Sequence, residues 1–452
     1  MGKKPELTLV DLFAGCGGLS LGMENAGFTP VFVNELNEHA METYLANRSH
    51  LVGNRPFNER KDLHCNDAHD LQGERLEELV ASLSELGLCF PDLKDAKKCA
   101  KGSDLDLLAG GPPCQGFSGI GHRRSYAVDK QDIPSNQLYQ RMAEIIERLR
   151  PRVFLFENVR GLLTSYWTNT RERKIWPDVR DRFKAIPGYE VRWSLVKASD
   201  YGVPQNRPRV LLVGIRTDVA VGASKILNLD LDTEDAVEAN FLPRHGSHKC
   251  PDLGELLGDL VDRRVEKHFD GASYPDGDFS TPTYRLEPKV GIQEELRTTR
   301  DGKVLRKGDA LSEQQYSKHS KRIVEKFGHM RKHGEIPEGA KTKKFSQRVL
   351  KKEWGNEAPN ITATSMPDDY IHFAQSRTLT VREWARLQLF PDWYVFKGKR
   401  TTGGLRRAGN PREGIYDREV PKYTQIGNAV PVRLAEEVGT HFRRILEVSG
   451  AT

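Results

Sequence analysis

Short apolar runs and amphipathic segments alternate along the first 215 residues of the chain. Apolar runs bounded by glycine, proline or polar clusters are typical of buried strands, and apolar positions recurring every three to four residues indicate helices. The pattern predicts strands at 7–13, 30–34, 105–109, 153–156, 189–196 and 209–215, and helices at 19–26, 38–46 and 138–149. This alternation predicts an α/β domain with a doubly wound, mostly parallel sheet, which binds ligands at the carboxyl ends of its strands.

The regular alternation is lost between about residues 217 and 360, where turn signals, isolated glycines and charge clusters dominate. We interpret this stretch as a second, smaller, mixed domain with long loops. Regularity returns with a helix predicted at 380–389, capped by Thr380, and with a last helix at 432–446. Within the first part, the long and charged stretch 72–101 is interpreted as an extra surface excursion.

The composition excludes several classes of protein. Of the 452 residues, 37% are hydrophobic, and no apolar run approaches the roughly 18 residues that a membrane helix needs. The N-terminus carries no apolar signal sequence, so we expect a cytoplasmic protein without a membrane partner. The six cysteines include no CxxC pair, and no cluster of ligands indicates a metal, so neither a zinc site nor a disulfide framework is expected.

The net charge of +6 is small for this length, but the basic residues are unevenly distributed. Residues 321–352 contain eleven basic residues against three acidic ones, and residues 397–412 contain six basic residues and no acid. Most charge runs are simply solvated surface. Two clusters in the C-terminal half nevertheless favour a polyanionic partner.

A glycine-rich turn, DLFAGCGG at 11–18, lies between the first predicted strand and the first helix. Glycines let the backbone approach a ligand, and the helix N-terminus offers free N–H groups, although such a turn can also reflect tight packing alone. The turn lacks the GxGxxG pattern of dinucleotide sites. Glu35 ends the second strand, where an acid can accept hydrogen bonds from a ribose or can simply begin the next helix. Together the two features indicate a nucleoside cofactor.

Three further segments place reactive side chains at strand ends. Cys114 follows a Pro-Pro turn after the strand at 105–109, where it can be a thiolate nucleophile or a small buried apolar residue. Glu157 follows the strand at 153–156, as a carboxyl held protonated for hydrogen bonding or as an ordinary capping or surface acid. Arg207 and Arg209 lie near the start of the strand at 209–215, and arginines there can bind phosphate and base edges or be surface charge.

Taken together, these segments resemble the cytosine-C5 DNA methyltransferases. The resemblance covers residues 6–215 and 360–447, and the motifs occur in the family's usual order: DLFAGCGG at 11–18, GPPCQ at 111–115, ENV at 157–159, QNRPR at 205–209, RTLTVRE and ARLQ within 377–388, and GNAVP at 427–431. Each motif is moderately specific, and six in order leave little room for chance.

The resemblance implies roles for residues at matching positions. Cys114 is the expected nucleophile, Glu157 the group that bonds the cytosine ring, and Arg209, with Arg207, the group that holds O2 and phosphate. S-adenosyl-L-methionine is the expected cofactor and methyl donor, surrounded by Phe13, Gly15, Gly17, Gly18, Glu35, Asp67, Pro113, Leu138 and Asn428. The partner is double-stranded DNA, and we expect the basic run to contact its phosphates through Lys341, Lys343, Lys344, Arg348 and Lys351.

The resemblance also implies an architecture: a catalytic and cofactor-binding domain at 1–215, a smaller target-recognition domain at 216–418, and a segment at 419–452 that returns to the catalytic domain. No metal is required, a monomer is expected, and a companion restriction endonuclease is possible in a prokaryotic host.

Three alternatives use the same features. An RNA cytosine-C5 methyltransferase would share the pocket, although the long target region favours duplex DNA. A nucleotide-binding oxidoreductase explains the glycine turn and Glu35 but leaves Cys114 and Glu157 without a role. A non-catalytic DNA-binding regulator of the same fold would usually have lost the nucleophile.

Overall fold

The structure is a computed structural model that describes residues 7–91, 103–113, 129–270, 274–340, 347–351, 359–361, 369–402 and 419–450. Its strands are β1 (Thr8–Leu12), β2 (Thr29–Asn34), β3 (Leu51–Val52), β4 (Arg55–Pro56), β5 (His64–Cys65), β6 (Leu107–Gly110), β7 (Val153–Val159), β8 (Tyr189–Lys197), β9 (Pro208–Arg216), β10 (Arg348–Val349) and β11 (Tyr370–Ile371).

Its helices are α1 (Gly18–Asn25), α2 (Glu38–Ala46), α3 (Gly73–Glu85), α4 (Leu138–Leu149), α5 (Ile175–Lys184), α6 (Thr217–Leu227), α7 (Leu253–Leu257), α8 (Gly291–Arg297), α9 (Lys321–His333), α10 (Val381–Arg386), α11 (Lys422–Asn428) and α12 (Val432–Val448). Among these described helices, none is long and apolar enough to span a bilayer.

In the described part of the chain, seven strands form one sheet in the order β5-β2-β1-β6-β7-β9-β8. The first five strands in this order pair in parallel, whereas β9 runs antiparallel to both β7 and β8. The link between β8 and β9, residues 198–207, is shorter than the dozen or so residues that a parallel crossover needs, which explains the reversal. The predicted doubly wound, mostly parallel fold is confirmed.

The sheet has a hydrophobic core on each face. Every residue of β1 is buried, and its side chains alternate between the two cores, so that Leu9 lies in one and Val10 in the other. Strands buried on both faces appear as nearly continuous apolar runs, which is why the sequence pattern located them well. All six predicted strands are present, each shifted by a few residues at most at its ends.

The interpretation of residues 72–101 as a surface excursion is wrong for the described part of that stretch. Helix α3 turns one apolar face inward and buries three leucines in the core between the sheet and α4: Leu76, Leu79 and Leu83. An ion pair at 2.5 Å between Glu77 and Arg148 ties α3 to α4. The helix therefore belongs to the layer that covers the sheet.

The C-terminal helix α12 packs directly on α1 and so brings the two ends of the chain together. The approach is close because glycines stand at the crossing. A Cβ atom on Gly22 would lie 2.4 Å from the Cβ of Ala435, and one on Gly439 would lie 2.8 Å from the sulfur of Met23. This contact returns residues 427–431 to the glycine-rich turn that precedes α1.

Buried ion pairs join α10 to the segments around α7 and α8. The Arg386 guanidinium lies 2.6 Å from Asp259 and 2.5 Å from Asp392, and Arg297 lies 2.5 Å from Asp259. All four side chains are fully buried. Removing one member of such a set leaves an uncompensated buried charge, so the network fixes α10 against α7 and α8.

Replacing Gly22 by alanine should destabilise the protein, because the added methyl overlaps α12 where neighbouring backbone cannot easily move. Overpacking of this kind costs about 1–3 kcal/mol. Gly258→Ala is the matched control, since Gly258 has a helical φ of −63° and open space around its Cβ position. Urea unfolding followed by circular dichroism should show a lower midpoint for Gly22→Ala alone; equal midpoints for the two variants would contradict the close crossing.

Candidate active site

The glycine-rich turn forms the first wall of the candidate site. Between β1 and α1 the backbone takes positive φ angles at Phe13 (56°), Gly15 (56°) and Gly17 (82°). Gly17 must be glycine for a steric reason as well, because a Cβ there would lie 2.7 Å from the guanidinium of Arg48. Beside Gly15, by contrast, the space around a Cβ position is open. The turn therefore presents bare backbone at the carboxyl end of β1.

Gly18 faces the C-terminal segment. A Cβ on Gly18 would lie 2.4 Å from the carbonyl oxygen of Val430 and 3.1 Å from the Cβ of Ala429. The exposed Asn428 ends α11 immediately before these residues. The predicted cofactor residues of the first and last motifs, more than 400 positions apart, are thus brought together.

Glu35 leaves β2 and braces the turn. Its carboxylate accepts from the backbone N–H of Gly15 at 2.8 Å and of Asn37 at 2.7 Å. Burial raises the pKa of Glu35, and these two backbone donors oppose the rise. Each oxygen keeps a free lone pair, so the half-buried side chain can still accept from a hydroxyl on a ligand.

The remaining predicted cofactor residues lie around the same sheet edge. Asp67 follows β5, is partly exposed, and accepts from the backbone N–H of His69 at 2.9 Å. Leu138 begins α4 and is buried, whereas Pro113 is exposed after β6. The parallel order of β5, β2, β1 and β6 explains why these sites share one edge.

Glu157 and Arg209 form a buried ion pair on neighbouring strands, β7 and β9. The Arg209 Nε atom lies 2.6 Å from Glu157 Oε1, and Val159 pairs with Arg209 in the sheet register. The other carboxylate oxygen lies against Gly111, where a Cβ would come within 2.8 Å of it. Burial lowers the pKa of Arg209, and Glu157 opposes that change.

Asn158 fixes the segment that leads to Cys114. Its side chain donates to the carbonyl of Pro112 at 3.2 Å, and its own oxygen accepts from the backbone N–H of Val159 at 2.8 Å. The end of β7 therefore holds both Glu157 and the start of the Pro-Pro turn in one arrangement. Gly111 must remain glycine for the carboxylate to approach.

Arg207 does not lie beside Glu157 as its neighbour Arg209 does. The residue is 1% exposed, and its guanidinium donates to backbone carbonyls of Ile361, Gly427 (2.7 Å), Asn428 (3.4 Å) and Ala429 (3.0 Å). Burial, reinforced by the charge of Arg209, lowers the pKa of Arg207 well below its ordinary value. The expected contact of Arg207 with substrate therefore stays a prediction. The hydrogen bonds that its guanidinium makes to these carbonyls do not favour that contact.

Several predicted site residues lie outside the described residues: Cys114, Lys341, Lys343 and Lys344. Of the other two basic residues, Arg348 begins β10, where it is opposite Tyr370 of the parallel strand β11, and Lys351 lies two residues after the end of β10. Both side chains are exposed.

Two further residues, Arg48 and Gln388, support the site from behind and are not among the residues predicted from the sequence. Arg48 is fully buried; it donates to the carbonyl of Gly17 at 3.1 Å and pairs with Glu24 at 2.6 Å. Gln388 donates to the carbonyls of Ile426 (2.8 Å) and Ala429 (3.2 Å). An arginine just after the amphipathic α2 carries no sequence signal for burial, whereas Gln388 lay inside a recognised motif.

Comparison with known proteins identifies relatives along nearly the whole chain. A family model for C-5 cytosine-specific DNA methylases matches residues 7–81 and 90–444. Type II methyltransferase M.DdeI of Desulfomicrobium norvegicum is 28% identical over 97% of this chain and 90% of its own. Type II methyltransferase M1.HphI of Haemophilus parahaemolyticus is 27% identical over 96% and 85%.

A crystal structure of a DNA modification methyltransferase encoded within an E. coli prophage has the same fold, with a TM-score of 0.62 and 23% identity. The match covers 98% of this chain and 100% of that one.

The buried Asp11 should make stability depend on pH. Ser20 donates to one carboxylate oxygen, and the other has no partner among the described residues. Burial raises the pKa of Asp11 to about 7, against the opposing Ser20 hydrogen bond. The folded state then holds a proton that the unfolded chain loses near pH 4, so this stabilisation declines between about pH 4 and 7 and is absent above.

Thermal melts of the wild type and Asp11→Asn at pH 5 and pH 8 test this dependence. The wild type should lose more stability than the variant on going to pH 8, because the amide does not titrate. Parallel losses in the two proteins would show that Asp11 does not titrate in this range.

Proposed function

The chain belongs to the C-5 cytosine-specific DNA methylase family and is a DNA (cytosine-5-)-methyltransferase; from that premise we propose a full reaction and its residues. The methyl group passes from S-adenosyl-L-methionine to C5 of a flipped cytosine within a specific sequence of duplex DNA. The observation that carries this assignment is the buried Glu157–Arg209 pair against Gly111, three residues before Cys114.

The edge formed by β1, β2 and β5 fits the methyl donor. The open space beside Gly15 leaves room for a ligand against the backbone, and the Glu35 carboxylate suits a ribose hydroxyl pair. Pro113 and Asn428 are both exposed, and with Phe13, Gly17, Gly18, Asp67 and Leu138 they complete the set assigned to the donor. When bound, the donor supplies an electrophilic methyl group on a sulfonium sulfur.

Cys114 is assigned the nucleophilic step. The C5 atom of cytosine belongs to an aromatic ring and is a poor nucleophile. Addition of the Cys114 thiolate at C6 breaks the aromaticity and makes C5 enamine-like, so that C5 can accept the methyl group. Transfer of the C5 proton to a base, for which ordered water is the candidate, then restores the C5–C6 double bond and expels the thiolate.

Glu157 and Arg209 are assigned the polar edge of the same ring. Addition at C6 places negative charge on N3, and a protonated Glu157 carboxyl neutralises it by hydrogen bonding there while its other oxygen accepts from the exocyclic amine. Arg209, held against that carboxyl, reaches O2. A carboxyl group that Arg209 already holds in place suits this task, because its hydrogen-bonding atoms are aimed before the charge develops.

The cytosine must leave the duplex for this chemistry. C5 and C6 are inaccessible within a stacked helix, so the base flips out at a cost of a few kcal/mol. We assign residues 1–215 and 419–452 to the catalytic side and 216–418 to target recognition, with DNA in the cleft between them. Arg348 and Lys351, together with the lysines at 341, 343 and 344, contact phosphates, which position the duplex without specifying its sequence.

Two relatives bear the name Type II methyltransferase, which supports a role beside a companion restriction endonuclease. Methylation of the host sequence would then protect it from cleavage. We further propose that the enzyme acts as a monomer in the cytoplasm, where a prokaryotic chromosome is found. Bisulfite sequencing of DNA from cells that express the chain identifies the methylated sequence.

A duplex with 5-fluorocytosine at the methylated position should trap the protein covalently. Cys114 adds at C6 and the methyl group arrives, but fluorine cannot leave C5 as a cation, so the elimination that frees the thiolate is blocked. With S-adenosyl-L-methionine present, a denaturing gel should show a protein–DNA band whose peptide map leads to Cys114.

Two control variants test whether the adduct forms specifically at Cys114. Cys114→Ala should form no adduct, and Cys250→Ala, which changes a partly buried cysteine beyond the sheet, should form it normally. Attachment at another cysteine, or wild-type turnover without any adduct, would refute the covalent route.

Neutralising the basic run should weaken DNA binding and flatten its salt dependence. The variant carries glutamine at Lys341, Lys343, Lys344 and Lys351. The logarithm of the affinity falls as the logarithm of the salt concentration rises. Each phosphate that is no longer neutralised should make this slope less steep by about 0.9. Lys225→Gln, which removes an exposed charge from α6, is the control and should leave the slope unchanged. An unaltered slope in the fourfold variant would make the run a solvated surface.

A further inference from the structure

Gln205 and Arg207 hold both backbone polar groups of a single distant residue, Ile361. The N–H of Ile361 donates to Gln205 Oε1 at 3.1 Å, and Arg207 Nη1 donates to the Ile361 carbonyl. Ile361 is fully buried and lies in the stretch assigned to target recognition. One residue of that region is therefore bound on both sides by the link that leads into β9.

The same two side chains also hold the segment next to the donor site. Arg207 Nη2 donates to the carbonyls of Gly427 at 2.7 Å and Ala429 at 3.0 Å. Gln205 Nε2 donates to Gln388 Oε1 at 3.0 Å, and Gln388 donates in turn to Ala429 at 3.2 Å. Ala429 lies against Gly18 in the turn that borders the donor site.

Arginine suits this position for geometric reasons. Its planar guanidinium offers five donors in a fixed fork, so one side chain can bond two segments in different directions. Lysine has a single nitrogen and cannot reproduce that spread. In the described part of the chain, every hydrogen-bond partner of Arg207 is a backbone carbonyl, so its charge is solvated only while both segments keep their places.

We propose that Arg207, supported by Gln205, is a positioning residue that couples target-DNA binding to donor binding through Ile361 on one side and Gly427–Ala429 on the other. The coupling rests on the proposed function of these two regions. A ligand that fixes either segment also fixes the shared guanidinium, so the second ligand meets a site already ordered. Each ligand should then raise the affinity for the other by the same factor.

The test measures that factor directly. S-adenosylhomocysteine, which carries no transferable methyl group, is titrated calorimetrically into the protein with and without the duplex identified by bisulfite sequencing. The wild type should bind it at least about fivefold more tightly with the duplex, within the range usual for coupled sites. The reverse titration, of duplex into protein with and without S-adenosylhomocysteine, must give the same factor.

Arg207→Lys should reduce the factor to within about twofold of one. Arg216→Lys is the matched control. Arg207 immediately precedes β9, and Arg216 is the last residue of that strand, at its opposite end. The guanidinium of Arg216 also donates to backbone carbonyls, those of Ser103 (2.8 Å) and Arg150 (3.1 Å). This variant should keep the wild-type factor. Gln205→Met, which removes the hydrogen bond to the Ile361 N–H, should give an intermediate value and serves if Arg207→Lys does not fold.

Three results would overturn the proposal: a wild-type factor of one, a wild-type factor retained in Arg207→Lys, or an equal reduction in Arg216→Lys. A failure of the proposed function itself would be recognised by a different result: wild-type protein would leave no 5-methylcytosine in bisulfite sequencing. A merely structural role for Arg207 would lower both single-ligand affinities while leaving their ratio unchanged.

Discussion

The close crossing of α1 and α12 is the contact on which the candidate site depends. Gly22 and Gly439 let the two helices approach until backbone and small side chains touch. Because α11 and the following turn immediately precede α12, this crossing also fixes Val430 against Gly18. A side chain at either glycine would separate the first motif from the last, and the edge of β1 would lose its second wall.

Buried arginines also stabilise the site, and each is paired with a group on a neighbouring segment. Arg209 pairs with the carboxyl group of Glu157, to which the proposed reaction assigns the hydrogen bonds with the cytosine ring. Arg377 pairs with Glu383 at 2.6 Å behind the site. Burial opposes ionisation of Glu383, but Arg377, His372 and the backbone N–H of Thr380 together outweigh it and lower the pKa of Glu383 to about 2. This scaffold pair therefore stays ionised near neutral pH, which keeps the support constant while groups at the edge exchange protons.

The sequence located the sheet well because its strands are buried on both faces. It did not reveal the direction of β9, although the short link at 198–207 was a usable signal. The spacing of Leu76, Leu79 and Leu83 likewise indicated an amphipathic α3, and the surrounding charge obscured it. Both features therefore leave a signal in the chain, one in the length of a link and the other in the spacing of leucines.

Other features could not be read from the sequence. Arg207 and Arg209 belong to one motif and differ by two positions, yet one meets carbonyls and the other a carboxylate. The reason is tertiary: Arg207 precedes β9, where the backbone has not entered the sheet, and its acceptors come from residues more than 150 positions away. The same limit applies to Arg48, whose burial is set by Gly17 and Glu24 on another element.

The core that contains α1 and α12 also extends into the stretch assigned to target recognition. Leu253, Leu257 and Leu296 lie in one continuous cluster with Leu434 and Phe442 of α12. Within that stretch, the Arg386 network holds segments together with charges that must remain paired. The two parts therefore share packing and cannot vary independently at this junction. Differences in target sequence among related enzymes should then arise from residues beyond the shared core, where a substitution leaves no buried charge unpaired and opens no cavity.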